Sequence, residues 1–166
     1  MTVVGVISDT HKLLRPEAKA VLADTDLIVH AGDIGSQQVI DELSQLAPVR
    51  AVRGNVDSDA WAEAYPIDEV VEVGDRTLYV LHDLGELDLE PSAAGFDVVI
   101  AGHSHQPKIE AAGGVLYFNP GSAGPRRFKL PIALGVLRID EDEIVATIHA
   151  LETGEILENR SIVRSE

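Results

Sequence analysis

Three short runs rich in Val and Ile, at residues 3–7, 27–30 and 49–52, alternate with stretches of helical pattern at 16–23 and 37–46. Short buried apolar runs separated by helices are the pattern of parallel strands joined by crossover helices, so the first half predicts βαβαβ. After Asp59 the pattern changes. Residues 69–73 and 77–81 flank a Gly74-Asp75 turn and read as a hairpin, 97–101 as one more buried strand. Residues 108–111 and 115–118 around Gly113-Gly114, then 132–139 and 143–150 around an acidic turn, add two further hairpins. An α/β half followed by a hairpin-rich half, with no Pro/Gly/Ser linker between them, predicts an α/β four-layer αββα sandwich: two mixed β-sheets packed face to face with helices outside. At 166 residues, the chain, 1–166, is expected to form one domain.

The ends of those runs carry the chemistry. Asp9 and His11 follow the first, Asp33 the second, Asn55 the third, His82 the first hairpin, and His103 and His105 the strand after it. Ligands of open α/β sheets bind beyond the carboxyl ends of strands, where these side chains can converge. Asp9-Thr10-His11 and His103-Ser104-His105 set two donors two residues apart, which point the same way where extended geometry persists. Gly102 allows a sharp turn before the second pair, and Gly32 and Gly54 are flexible joints directly before Asp33 and Asn55. Taken singly, each piece has an ordinary reading. Asp9 or Asp33 suits a helix cap as well as a ligand, Gly54-Asn55 is a common turn, and His82 alone reads as a hydrogen-bonded core histidine. The ordered series at successive strand ends is what argues for a metal centre.

Composition narrows the rest. The chain has no cysteine, which removes disulfides, iron–sulfur clusters, thiolate zinc sites and Cys nucleophiles. A formal charge of −15 opposes association with duplex nucleic acid or anionic lipid, so an anionic substrate needs a local positive site. No apolar run approaches the ~18 residues of a membrane span, and residues 3–7 lack a basic leader, so a cytoplasmic location is expected. No G-x-G-x-x-G or G-x-x-x-x-G-K-[ST] follows a strand, which disfavours a nucleotide-cofactor enzyme. The H-x-H of amidohydrolases belongs to barrels of ~250 residues, too large for this chain.

Ser8-Asp9-Thr10-His11, His30-Ala31-Gly32-Asp33, Arg53-Gly54-Asn55-Val56-Asp57, Gly102-His103-Ser104-His105-Gln106-Pro107 and Asn119-Pro120-Gly121-Ser122, followed by Pro125-Arg126, resemble the motifs of the calcineurin-like metallophosphoesterase superfamily. Within it the resemblance is to the small bacterial and archaeal phosphodiesterases whose eukaryotic relative is Vps29. It implies a metal-dependent phosphoesterase, a hydrolase of small phosphate esters and of diesters in particular, with Asp9, His11, Asp33, Asn55 and His103 at the catalytic centre. It implies that Asp9, His11 and His105 hold one divalent ion, that Asn55, His82 and His103 hold a second, and that Asp33 bridges them. Oxygen and imidazole donors suit Mn²⁺, the working choice, and also Ni²⁺, Fe²⁺, Zn²⁺ or Mg²⁺. Two such ions about 3.5–4 Å apart activate water as hydroxide and stabilise both oxygens of an in-line displacement. With two carboxylates and one hydroxide the centre keeps a single positive charge, matched to a phosphodiester monoanion.

Asn119 and Arg126 are candidate substrate contacts, with Arg127 an alternative to Arg126. His30 reads equally as a group orienting a ligand and as a plain buried histidine. His149 has no motif around it and reads as structural. Two departures from the family pattern stand out: Asp83 follows His82 where Gly is expected, and Val56 follows Asn55 where many members carry a histidine able to protonate the leaving group. The reading from another class is a Vps29-like interaction scaffold with a vestigial metal site, and small relatives also suggest a homo-oligomer.

Overall fold

A computed structural model describes residues 1–163. The chain runs β1 (Thr2–Ile7), α1 (Pro16–Leu22), β2 (Leu27–His30), α2 (Gln37–Ser44), β3 (Val49–Ala51), β4 (Asp68–Val73), β5 (Arg76–Leu81), β6 (Val98–Ile100), β7 (Lys108–Ala112), β8 (Val115–Asn119), β9 (Ala133–Ile139), β10 (Glu143–Ala150) and β11 (Ile156–Val163). Short 3-10 turns over Ala60–Ala64 and Leu84–Glu86 interrupt the connections. α1 starts on Pro16 at a position where a missing N–H costs nothing. α2 buries Val39, Ile40 and Leu43 on one face, the i, i+4 spacing of an amphipathic helix.

Two mixed sheets result. The six-stranded sheet has the order β11-β10-β9-β1-β2-β3, and the five-stranded sheet β4-β5-β6-β8-β7. β1, β2 and β3 are parallel, as are β5, β6 and β8. Alternation sorts each strand between two faces. Val4 and Val6 of β1 meet Leu78 and Val80 of β5, Ile100 and Phe118 in the core between the sheets. Ile7, Ile28 and Leu134 face outward into a second cluster closed by Ala18 and Leu22 of α1 and Val39, Ile40 and Leu43 of α2. Both α-helices therefore cover the six-stranded sheet. The outer face of the other sheet, with Tyr79, Leu81 and Val99, is covered by Leu87, Leu89 and Phe96 from the segment after β5, where Tyr79 and Phe96 stack at 4.9 Å.

The predicted strands and helices are all present within a residue or two, and β11 is an addition. It pairs with β10 from Glu143↔Val163 to His149↔Ile156 at the sheet edge, and all but one of its residues are exposed. Its polar centre, Glu158 to Ser161, carries no alternation to read. The topology places the ends of all six parallel strands at one edge of the sandwich.

Candidate metal centre

Asp9 and His11 follow β1, Asp33 follows β2, Asn55 follows β3, His82 follows β5, and His103 and His105 follow β6. Backbone hydrogen bonds tie these loops together: Asp9 N–H to Gly32 O, His11 N–H to Asp33 O and Gly102 N–H to His82 O, each at 3.0 Å. Two groups of donors form. In Asp9, His11 and His105 the ligand-capable atoms all lie within 4.8 Å of one another, and the same holds for Asp9, Asp33 and His82. His105 Nε2 is 3.3 Å from Asp9 Oδ1; Asp33 Oδ2 is 3.6 Å from His11 Nε2 and 3.2 Å from His82 Nε2. Asp9 thus belongs to both groups, while Asp33 Oδ2 stands between His11 and His82.

The route to this convergence differs from the expected one. Extended alternation does not operate at Asp9-Thr10-His11 or His103-Ser104-His105, because all four end residues have positive φ: 55° and 45°, then 70° and 63°. Asp33 is also left-handed, at 55°. Five of the seven non-glycine residues with positive φ among the described residues are thus candidate ligands. Such conformations are strained and persist where the surroundings dictate them, commonly at functional sites. Gly54 and Gly102 are required for space rather than for φ. A Cβ at Gly54 would lie 2.1 Å from Asp33 Oδ1, and one at Gly102 would lie 2.0 Å from Ser8 Oγ and 2.6 Å from Asp9 Oδ2.

Surrounding groups fix which ligand atom faces the centre. Asp9 Oδ2 accepts from Ser8 Oγ at 2.7 Å and from His103 N–H at 3.1 Å, leaving Oδ1 free. Asp33 Oδ1 accepts from Val56 N–H at 3.1 Å. His82 Nδ1 lies 2.8 Å from Ala31 O, so it carries the proton and Nε2 presents its lone pair inward. Asp57, quoted in the motif without a role, accepts from Ile34, Gly35 and Gly54 N–H at 2.9–3.0 Å and clamps the loops after β2 and β3 together. Its place three residues after Gly54 was the available sign. His30 Nδ1 accepts from Gly32 N–H at 3.1 Å, so its Nε2 proton goes to Thr10 Oγ1 at 3.0 Å, and Thr10 donates to Ile34 O. His30 therefore holds the first two loops in place.

Between the protein groups alone, burial raises the Asp9 carboxyl above its ordinary value, against the Ser8 hydrogen bond and the charges of His82 and His105. Burial works the same way on Asp33, but the attraction of His82, the Val56 N–H and His11 outweighs it and holds that carboxyl at about 2. Burial pushes His82 down, yet Asp33 and Asp9 win and its value is raised. Burial lowers His105, helped by the charge of Arg127, and full burial lowers His30 to about 3.

A divalent cation fits this set. Asp9 Oδ1, His11 Nε2 and His82 Nε2 are buried and have no hydrogen-bond partner, a costly condition that a cation relieves. Asn55 and His103 are more exposed and line an adjoining pocket of about 240 Å³ together with Arg53, His82 and Asp83. The His103 ring stands edge-on to His82 at 5.2 Å, with Nε2 3.8 Å from Asp83 Oδ2. Asn119 and Arg126 are occupied within the protein. Asn119 Nδ2 donates to Gly102 O and Ser104 Oγ, its Oδ1 accepts from Gly121 N–H, and Arg126 pairs with Glu152. Arg127 is the arginine whose charge reaches His105. His149 Nε2 lies 3.1 Å from Thr147 Oγ1, away from the centre on β10.

Loops from two packed sheets that present carboxylate and imidazole donors in this order define a metal-dependent phosphoesterase. Residues 1–142 match the calcineurin-like phosphoesterase superfamily domain, and the chain belongs to that superfamily. A probable metallophosphoesterase of Methanothermobacter thermautotrophicus is 37% identical over 87% of this chain and 90% of its own length. A phosphodiesterase of Methanocaldococcus jannaschii is 31% identical over 84% of this chain and 95% of its own. Among solved structures, Vps29 of Chaetomium thermophilum aligns over 99% of this chain and all of its own with a TM-score of 0.83 at 19% identity. The phosphoesterase YfcE of E. coli aligns over 95% and 98% with a TM-score of 0.73 at 23% identity. At those identities the two structures speak to the fold.

Proposed function

We propose that this protein is a dinuclear phosphodiesterase acting on a small phosphate ester from a single domain, 1–166. Asp9, His11 and His105 would hold one ion and Asn55, His82 and His103 the other, with Asp33 shared between them and Mn²⁺ the working choice. The observation that carries the reading is the convergence of the unpartnered buried atoms Asp9 Oδ1, His11 Nε2 and His82 Nε2. When bound, two divalent ions activate water at neutral pH and stabilise charge on the phosphate oxygens. The chain's own groups orient that centre. Ser8 and the His103 N–H aim Asp9, Ala31 sets the His82 tautomer, and the Val56 N–H turns Asp33. The adjoining pocket, lined by Arg53, Asn55, His82, Asp83 and His103, takes one ester group.

The test is a panel of phosphomonoesters and diesters incubated with chelated protein to which metals are restored one at a time. Hydrolysis of bis(p-nitrophenyl) phosphate that is absent in chelator and restored best by Mn²⁺ is the expected result. Turnover in chelator, or none with any ion, contradicts the proposal. Capture of a protein partner without turnover, independent of metal, would favour the scaffold reading instead.

A further inference from the structure

Both α-helices lie on the six-stranded sheet, and on the outer face of the other sheet Leu87, Leu89 and Phe96 cover Tyr79, Leu81 and Val99. Beyond that cover the face opens into a slot of about 200 Å³ over β6, β8 and β7. Register sets its floor: Val99 pairs with Tyr117 and Tyr117 with Glu110, while Lys108 pairs with Asn119 in the next outward-facing row. Buried Val99 and Ala101, with half-buried Tyr117, make that floor apolar, and exposed Leu84 flanks it.

The slot adjoins the candidate metal centre. Asp83 and His103 line both it and the pocket beside Asn55 and His82, and Gly102, also in its lining, lies against Asp9. Asp83 stands where the family pattern has Gly. Its Oδ1 accepts from Gly85 N–H at 2.9 Å and its Oδ2 is 3.8 Å from His103 Nε2, so the Asp83–His103 pair is the partition between two compartments. The surrounding groups decide what the slot can take. Asn119 Nδ2 donates to Gly102 O and Ser104 Oγ, and Lys108 pairs with Glu110 at 3.2 Å, so these polar groups have partners within the protein. An anionic group would meet Asp83 and Glu110. An apolar cavity of about 150 Å³ is enough to take a benzene ring, so the slot has room for a single ring.

We propose that this slot is the subsite for an uncharged, ring-sized apolar ester group, and that Ala101 sets its depth. The substrate class is then a phosphodiester with one aryl or arylalkyl group, held in the slot while the pocket on the Asn55 side takes the other group. This rests on the phosphodiesterase reading above, and the experiment separates the two.

The Mn²⁺-loaded protein is titrated calorimetrically with benzylphosphonate and methylphosphonate, which share an anionic head and differ by the ring. The expected result is about tenfold tighter binding of benzylphosphonate, the effect of burying part of one ring. Ala101→Leu, which fills the slot, should bring the ratio to about one. Leu84→Ala, which removes a wall at an exposed position, should lower it to about three. Ile156→Ala, at an exposed position on β11, is the control and should keep the parent ratio. As competitive inhibitors of bis(p-nitrophenyl) phosphate hydrolysis, the two phosphonates should differ by the same factor. Equal binding of the two, binding of neither, or a preference that survives both Ala101→Leu and Leu84→Ala overturns the proposal while leaving the phosphodiesterase reading intact. If no ion supports hydrolysis of bis(p-nitrophenyl) phosphate, the phosphodiesterase reading fails and the calorimetric ratios alone decide whether the slot binds a ring.

Discussion

At the residue scale, two side chains lead to measurable consequences. Val56 gives its N–H to Asp33 but has no proton to offer a departing alkoxide, where a positioned general acid contributes ~10²- to 10⁴-fold. Rates for aryl phosphodiesters should fall steeply as the phenol becomes more basic, and Val56→His should flatten that dependence. A shallow slope in the parent, measured where chemistry limits turnover, would point to another acid. His30 is buried neutral, its pKa lowered from 6.5 to about 3. A group with a depressed folded value adds stability above its unfolded pKa and loses it as pH falls, because the unfolded chain takes the proton first. Its share of stability is therefore complete above about pH 6.5 and declines by up to about 1.4 kcal/mol per unit between there and about pH 3. Denaturant midpoints of the parent and His30→Gln across that window should show a shallower slope in the variant; parallel slopes would contradict the assignment. The candidate ligand positions were legible because each follows an apolar run. The roles of His30 and Asp57 were not, since they depend on backbone N–H groups of loops whose paths the sequence does not reveal.

At the scale of elements, the functional parts are the loops after the parallel strands, and their close approach sets the limits. Gly102 lies against Ser8 and Asp9 with no room for a methyl group. Gly102→Ala should displace the Asp9 carboxylate, weaken metal binding and lower turnover at least about tenfold, with a stability cost of about 1–3 kcal/mol from overpacking. Gly113→Ala, in the β7–β8 turn with nothing within 4 Å, should leave turnover alone and cost only its left-handed strain at φ 59°. Equal activity of the two variants would contradict the steric account. Val and Ile runs with turn residues after them made β1 to β10 readable. β11 was not, because an exposed edge strand keeps no buried face and therefore no period of two. Likewise, Leu87, Leu89 and Phe96 read as loop, although they cover the outer face of the five-stranded sheet.

At the scale of the molecule, charge is what needs reconciling. A chain of formal charge −15 handles an anionic ester only if the centre is locally positive. Asp9 and Asp33 alone make it negative, so cations are part of the working site rather than an accessory to it. Among the described residues no helix is long and apolar enough to cross a membrane. The superfamily was readable from motif order, and the sandwich from the change of pattern after Asp59. Metal stoichiometry tests the dinuclear centre most directly. Chelated protein titrated with Mn²⁺, with bound metal and diester turnover followed together, should take up two ions per chain with turnover rising on the second, and Asp33→Asn should lose both. An Asp33→Asn protein that binds two ions and turns over the diester at the parent rate would contradict it.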